Sequence, residues 1–179
     1  MSQAAHRRPH VPEPARVAGT FLADLESAHR ALLAEMASID QLTREPALGS
    51  LRFTAARWKI SQASLRRRTL SARIREYFRA RGTADEIRTL MELEIADRAL
   101  LRASADHIRI WSAQTIGEDW PGYCQASRQI REQMQQFIAL EQRQLYPLLE
   151  KAAGSDDTDR NGASDGARTR DLRRDRPAL

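Results

Sequence analysis

The 179-residue chain is 41% hydrophobic, 30% charged and 6% aromatic, with one cysteine, Cys124; this suffices for one domain with a packed core and is too little for two. No apolar run approaches the ~18 residues of a membrane span, a lone cysteine excludes an internal disulfide or a Cys-built metal site, and the polar, proline-spotted stretch Met1–Gly19 offers no secretory signal, so the expectation is a soluble, cytoplasmic, helical protein. The formal charge of +5 belongs to residues 1–153, because six Arg and six Asp cancel from Gly154 onward, and all but Lys59 and Lys151 of the 29 basic residues are Arg.

Residues 1–19 read as a disordered tail, in which His6 and His10 are incidental. Beyond it, Gly19, Gly49, Gly82, Gly117 and Gly154, with Pro46 and Pro121, divide the chain into four similar lengths rich in Ala, Leu, Arg, Glu and Gln. Gly and Pro are the strongest breakers, and segments of this composition read as helices. A first helix is expected over about Thr20–Thr43, with Leu22, Leu25, His29, Leu32, Met36 and Ile39 along one face. A second, about Leu51–Arg81, carries Trp58, Leu65, Ala72 and Tyr77/Phe78 and stops at Gly82. Thr83-Ala-Asp-Glu86 is a capping box that opens a third helix bearing Leu90, Leu93, Asp97, Leu100, Ser104, His107 and Trp111. Asp119 caps a fourth, with Pro121 in its first turn and Tyr123, Ser127, Ile130, Met134, Phe137, Glu141, Leu145 and Leu148 facing inward. Short loops force neighbouring helices antiparallel, so the expected fold is all-α, an up-down-up-down antiparallel four-helix bundle over residues 20–153.

Function in a bundle is built from polar side chains that project into its core. His29, Asp97, His107 and Glu141 are the candidates here. A buried glutamate needs a cationic partner, because an unpaired buried charge costs several kcal/mol.

The run Phe137-Ile-Ala-Leu-Glu141-Gln-Arg-Gln-Leu145-Tyr146-Pro147-Leu-Leu149 resembles the closing helix of hemerythrin-like (HHE cation-binding) domains, where a His-x-x-x-Glu pair precedes Leu-Tyr-Pro. His29 ahead of a leucine-rich run is similar to that family's opening helix. Trp111-Ser-Ala-Gln-Thr-Ile-Gly-Glu-Asp119-Trp120-Pro-Gly-Tyr123 resembles the turn before the last helix in bacterial members. The resemblance covers about residues 20–151 and implies the same four-helix fold. It also implies a non-haem di-iron centre, held by five His and two carboxylates, for binding or sensing oxygen, nitric oxide or iron.

Carried over residue by residue, the resemblance keeps His29, His107 and Glu141 as metal ligands. Aligned through Tyr77, it places Arg68 and Ala72 at the second helix's ligand positions; Ala103 and Phe137 replace two more. Arginine is always protonated and repels a cation. The expectation is therefore a decayed metal site without cofactor, in which Arg68 pairs with Glu141 and Phe137 fills vacated volume. The alternative is residual non-haem iron at His29, His107 and Glu141, since two His and a carboxylate can hold one iron.

Leu51–Gly82 carries ten basic residues and one acid. Arg66, Arg67, Arg73 and Arg75 are its expected basic surface, offset by carboxylates of the first and third helices. No recognition motif or stacking platform accompanies it, so a nucleic-acid partner is not expected, nor is a membrane. The absence of a nucleophile–base pair or a phosphate loop argues against an enzyme. What remains is a non-catalytic binding or regulatory module, with a protein as one possible partner and Cys124 as a packed, inert thiol. Residues 154–179 are expected to form a disordered tail; from Asn161 they resemble translations that run into a neighbouring tRNA gene, a gene-model artefact outside the functional reading.

Overall fold

The computed structural model describes residues 14–45 and 50–165, with side chains over 14–45 and 51–154. Its elements are all helical: α1 (Pro14–Leu42), α2 (Ser50–Arg81), α3 (Ala84–Ile110), α4 (Ala113–Glu118) and α5 (Trp120–Asp165). Among the described residues no helix is long and apolar enough to cross a membrane.

Helix α1 begins at Pro14, six residues inside the stretch read as a tail. Proline suits a first helical turn, where its missing N–H would go unused. The turn is also fastened: the Tyr77 hydroxyl donates to the Pro14 carbonyl at 3.1 Å, and Ala18 is fully buried. At the other end, α5 runs through Gly154 to Asp165, so the segment expected as a C-terminal tail starts as helix. Residues 1–13, with His6 and His10, and 166–179 lie outside the described residues.

The capping box of α3 forms as expected: Thr83 Oγ1 accepts from the Glu86 N–H, and the Glu86 carboxylate accepts from the Thr83 N–H. Between Trp111 and Tyr123, read from sequence as a turn, lies the short helix α4. Ser112 caps its start by accepting from the Thr115 N–H at 3.1 Å. Asp119 ends α4 through its own N–H, which donates to the Thr115 carbonyl. Its carboxylate starts α5 by accepting from the Gly122 N–H at 2.9 Å. A side chain at position 122 would bring a Cβ within 2.0 Å of that carboxylate, so this cap requires glycine.

The inner face of α2 differs from the expected one. Phe53, Ala56, Arg67, Leu70, Ser71, Ile74 and Phe78 are buried, whereas Trp58 is 66% and Leu65 49% exposed. Trp58, Leu65 and Ala72 form a line of seven-residue steps two positions off the true face. The real stripe uses small residues (Ala56, Ala63, Ser71) that let a neighbouring backbone approach, and α1 packs along α2 and α5 over much of its length.

Three apolar clusters make up the core. Leu25, Ile74, Phe78 and Leu149 centre one; Leu32, Met36, Met134 and Ile138 a second; Ile39, Phe53, Ile116 and Tyr123 a third. Burying each such side chain contributes ~1.5–3 kcal/mol. Along the helices His29 falls between Leu25 and Leu32, and Glu141 between Ile138 and Leu145. The first two clusters thus flank a layer of polar side chains.

Candidate functional site

Helical periodicity turns His29 of α1, Arg67 and Ser71 of α2, Asp97 of α3 and Glu141 of α5 into that layer. His29 is 1% exposed, and Arg67, Ser71 and Glu141 are each 2% exposed. Glu141 is the hub. Its Oε2 lies 2.9 Å from His29 Nε2, and its Oε1 accepts from Ser71 Oγ at 2.8 Å. Arg67 Nη1 lies 2.8 Å from the same Oε1 but off the hydrogen-bond direction, so that contact is Coulombic. A carboxylate only accepts, so His29 Nε2 donates; Nδ1 lies 2.8 Å from Tyr146 Oη. Arg67 Nη2 donates to Asp97 Oδ1 at 2.5 Å, and its Cζ stands 4.7 Å from the centre of the Phe137 ring. Every buried charge in the layer therefore has a partner, the condition under which burying it is tolerable.

Burial alone would raise the pKa of Glu141, but the His29 hydrogen bond, the Arg67 charge and the Ser71 hydroxyl together hold it below the ordinary carboxylate range.

The structure corrects the register of the second helix. Arg67, not Arg68, reaches Glu141, and the position one turn on is the buried Ser71, not the exposed Ala72. Arg67 is consequently no part of the basic surface; Arg66 and Arg73 are exposed, and Arg75 is half-buried 3.9 Å from Glu94. Phe137 is buried, as a volume-filling role requires, and also forms a face for the guanidinium; Ala103 is half-buried on α3.

His107 does not join His29 and Glu141. It lies ten residues beyond Asp97 on α3, about 15 Å along the helix, with its ring 5.6 Å from Tyr123. Burial first, then the Arg57 and Arg131 charges, push its pKa from 6.5 down to about 4. Arg131 is buried on α5 and escaped the sequence reading. Its Nη1 donates to Ser127 Oγ at 2.5 Å, and its Nη2 lies 3.2 Å from Asp40 Oδ1. The i,i+4 spacing from Ser127 was the available signal. Cys124 is half-buried, and burial pushes its thiol pKa up.

A cavity of about 240 Å³ opens beside the polar layer, with walls from α2, α3 and α5. Helices α2 and α3 pack against each other far less extensively than α1 does against α2.

The Arg67 guanidinium lies 2.8 Å from one Glu141 carboxylate oxygen, and among the described residues no three His, Cys, Asp or Glu side chains gather as a ligand set. No protein-family model matches the chain, and no curated protein or solved structure matches it.

Proposed function

We propose that the chain is an up-down-up-down four-helix bundle of the hemerythrin-like kind, with an internal ion-pair layer where that family carries its metal, and that it works as a non-catalytic binding module. Contacts at both ends support the antiparallel arrangement. Tyr77 meets Pro14, Trp120 Nε1 donates to the Glu45 carbonyl, Arg57 Nη2 donates to the Trp111 carbonyl, and Lys151 pairs with Glu86. Helix α4 is then an addition to the connection before the last long helix.

The observation that carries the reading is the position of Arg67. It comes from the second long helix, at the level of His29 and Glu141, and contributes a fixed positive charge between Glu141 and Asp97. A guanidinium there does what a metal ion would do electrostatically for two buried carboxylates, and has no redox or Lewis-acid chemistry to offer. The layer therefore acts as a rigid floor for the cavity beside it.

Expression of the full chain under anaerobic conditions with added iron, followed by metal analysis and an optical spectrum, tests this. Less than a tenth of an iron per chain is expected. Two irons with oxo-bridge bands would restore the family's oxygen chemistry, and one iron lost in His107→Ala would favour the mononuclear alternative; either result overturns the proposal.

A further inference from the structure

The cavity that opens beside the polar layer has apolar and cationic walls. Ile60, Leu100, Ile130 and Met134 supply apolar surface, and Arg57, Arg67, Arg68 and Arg131 also line it. The carboxylates in reach are already engaged: Asp97 and Glu141 with Arg67, and Asp40 with Arg131. Asp40 is shared with Arg44 as well, and among the described residues neither Arg57 nor Arg68 has a carboxylate within ion-pair distance, so the cavity wall carries excess positive charge. Arg57 uses Nη2 on the Trp111 carbonyl. Arg68 Nε, by contrast, is sealed from solvent and has no hydrogen-bond partner. His107, on the same cavity wall, has its pKa lowered first by burial and then by the charges of Arg57 and Arg131.

We propose that this cavity binds a small amphiphilic monocarboxylate, medium-chain or aromatic, with its apolar body along Ile60, Leu100 and Met134 and its carboxylate toward the guanidinium groups of Arg57 and Arg68. A 150 Å³ apolar cavity holds benzene, so about 240 Å³ suits a ligand of roughly ten non-hydrogen atoms on the same scale. A carboxylate head group is matched to the guanidinium groups of Arg57 and Arg68, which have no carboxylate partner among the described residues. The inference rests on the binding-module reading and names the ligand of that module.

Titration calorimetry of the full chain with octanoate, octanol and octylamine tests it, with iron content measured on the same preparation. Saturable one-to-one binding of octanoate is expected, with octanol and octylamine at least tenfold weaker. Arg68→Gln, at a partly exposed position whose loss leaves the buried ion pairs intact, should weaken octanoate at least tenfold and leave octanol unchanged. A bulky Ser104→Phe should abolish all binding while the helical circular dichroism signal is retained. No saturable heat with octanoate up to about 1 mM, equal affinity for octanoate and octanol, or an unaffected Arg68→Gln would each overturn the inference. Stoichiometric iron would instead overturn the binding-module reading, so the two failures are separable.

Discussion

Arg67 Nη1 and Glu141 Oε1 lie 2.8 Å apart with both side chains 2% exposed. Removing one member of such a pair strands the other in a medium that hydrates it poorly, so Arg67→Ala should cost about 3–5 kcal/mol. Arg68→Ala, one position along on a partly exposed side chain, should change stability by less than ~1 kcal/mol. Urea denaturation of the two variants side by side checks the contrast. Equal losses would mean that the register of α2 is not as described. Replacing the layer as a unit, with His29→Leu, Arg67→Met, Ser71→Ala, Asp97→Leu and Glu141→Leu together, should be neutral or stabilising by up to ~4 kcal/mol, since buried charges rarely outperform well-packed apolar groups.

The depressed pKa of Glu141 links stability to pH. Its carboxyl binds a proton less readily folded than unfolded, so its contribution is fully present above the unfolded value of ~4.3 and is lost as pH falls through the lower folded value. Stability should therefore decline on acidification from about pH 5. Glu141→Gln should be less stable than wild type at neutral pH and should show a flatter decline in this range. Melting temperatures between pH 3 and 7 measure both effects.

His107 imposes a slope at higher pH. Its pKa falls from 6.5 unfolded to about 4 folded, so between these values the unfolded chain binds the extra proton and folding is penalised as pH drops. The ring should be neutral at pH 6, with an NMR titration midpoint near 4. His107→Gln should remove the part of the pH dependence that lies between about 4 and 6.5 and leave the Glu141 limb below it. A midpoint at the ordinary histidine value would contradict the burial of the ring and the charges placed beside it.

The cap at the start of α5 predicts a coupling. Gly122→Ala raises helix propensity but drives a methyl group into the Asp119 carboxylate, which must swing away and give up its hydrogen bond. In an Asp119→Ala background the cap is already gone, so the same Gly122→Ala should stabilise. A double-mutant cycle should return about 1 kcal/mol of coupling, the size of one N-cap. Additivity would show that the carboxylate does not cap α5.

Helices could be read from sequence where breakers and caps coincide. Gly82 and the Thr83–Glu86 box locate the junction of α2 and α3 to the residue, and the apolar spacing of Leu25, His29, Leu32 and Met36 picks out the buried face of α1. The same spacing rule, applied to Phe53, Ala56, Ile60, Ala63 and Arg67, would have turned Arg67 inward. It lost to the attraction of Trp58 and Leu65, large apolar residues that the fold leaves exposed. Size is a poor guide on a helix whose inner face must be thin, and arginine is the residue least expected there. His29, Asp97 and Glu141 could be proposed as a polar core because each interrupts an otherwise apolar stripe. The separation of His107 from them could not, because a stripe gives a face but not the level at which each helix meets its neighbours. Helix α4 was hidden by its brevity: six residues offer no periodicity to detect.

The polar layer draws at least one charged or hydrogen-bonding group from each of the four long helices into a single connected set. Fraying can proceed from either end until it reaches this level, but no helix can leave without exposing a half-filled network to an apolar surrounding. Partial opening is thereby disfavoured relative to complete unfolding. Amide protons within a turn of His29, Arg67, Asp97 and Glu141 should then exchange with one shared free energy, on four segments far apart in sequence. The charges at the centre act as a latch that makes separate helices share one fate.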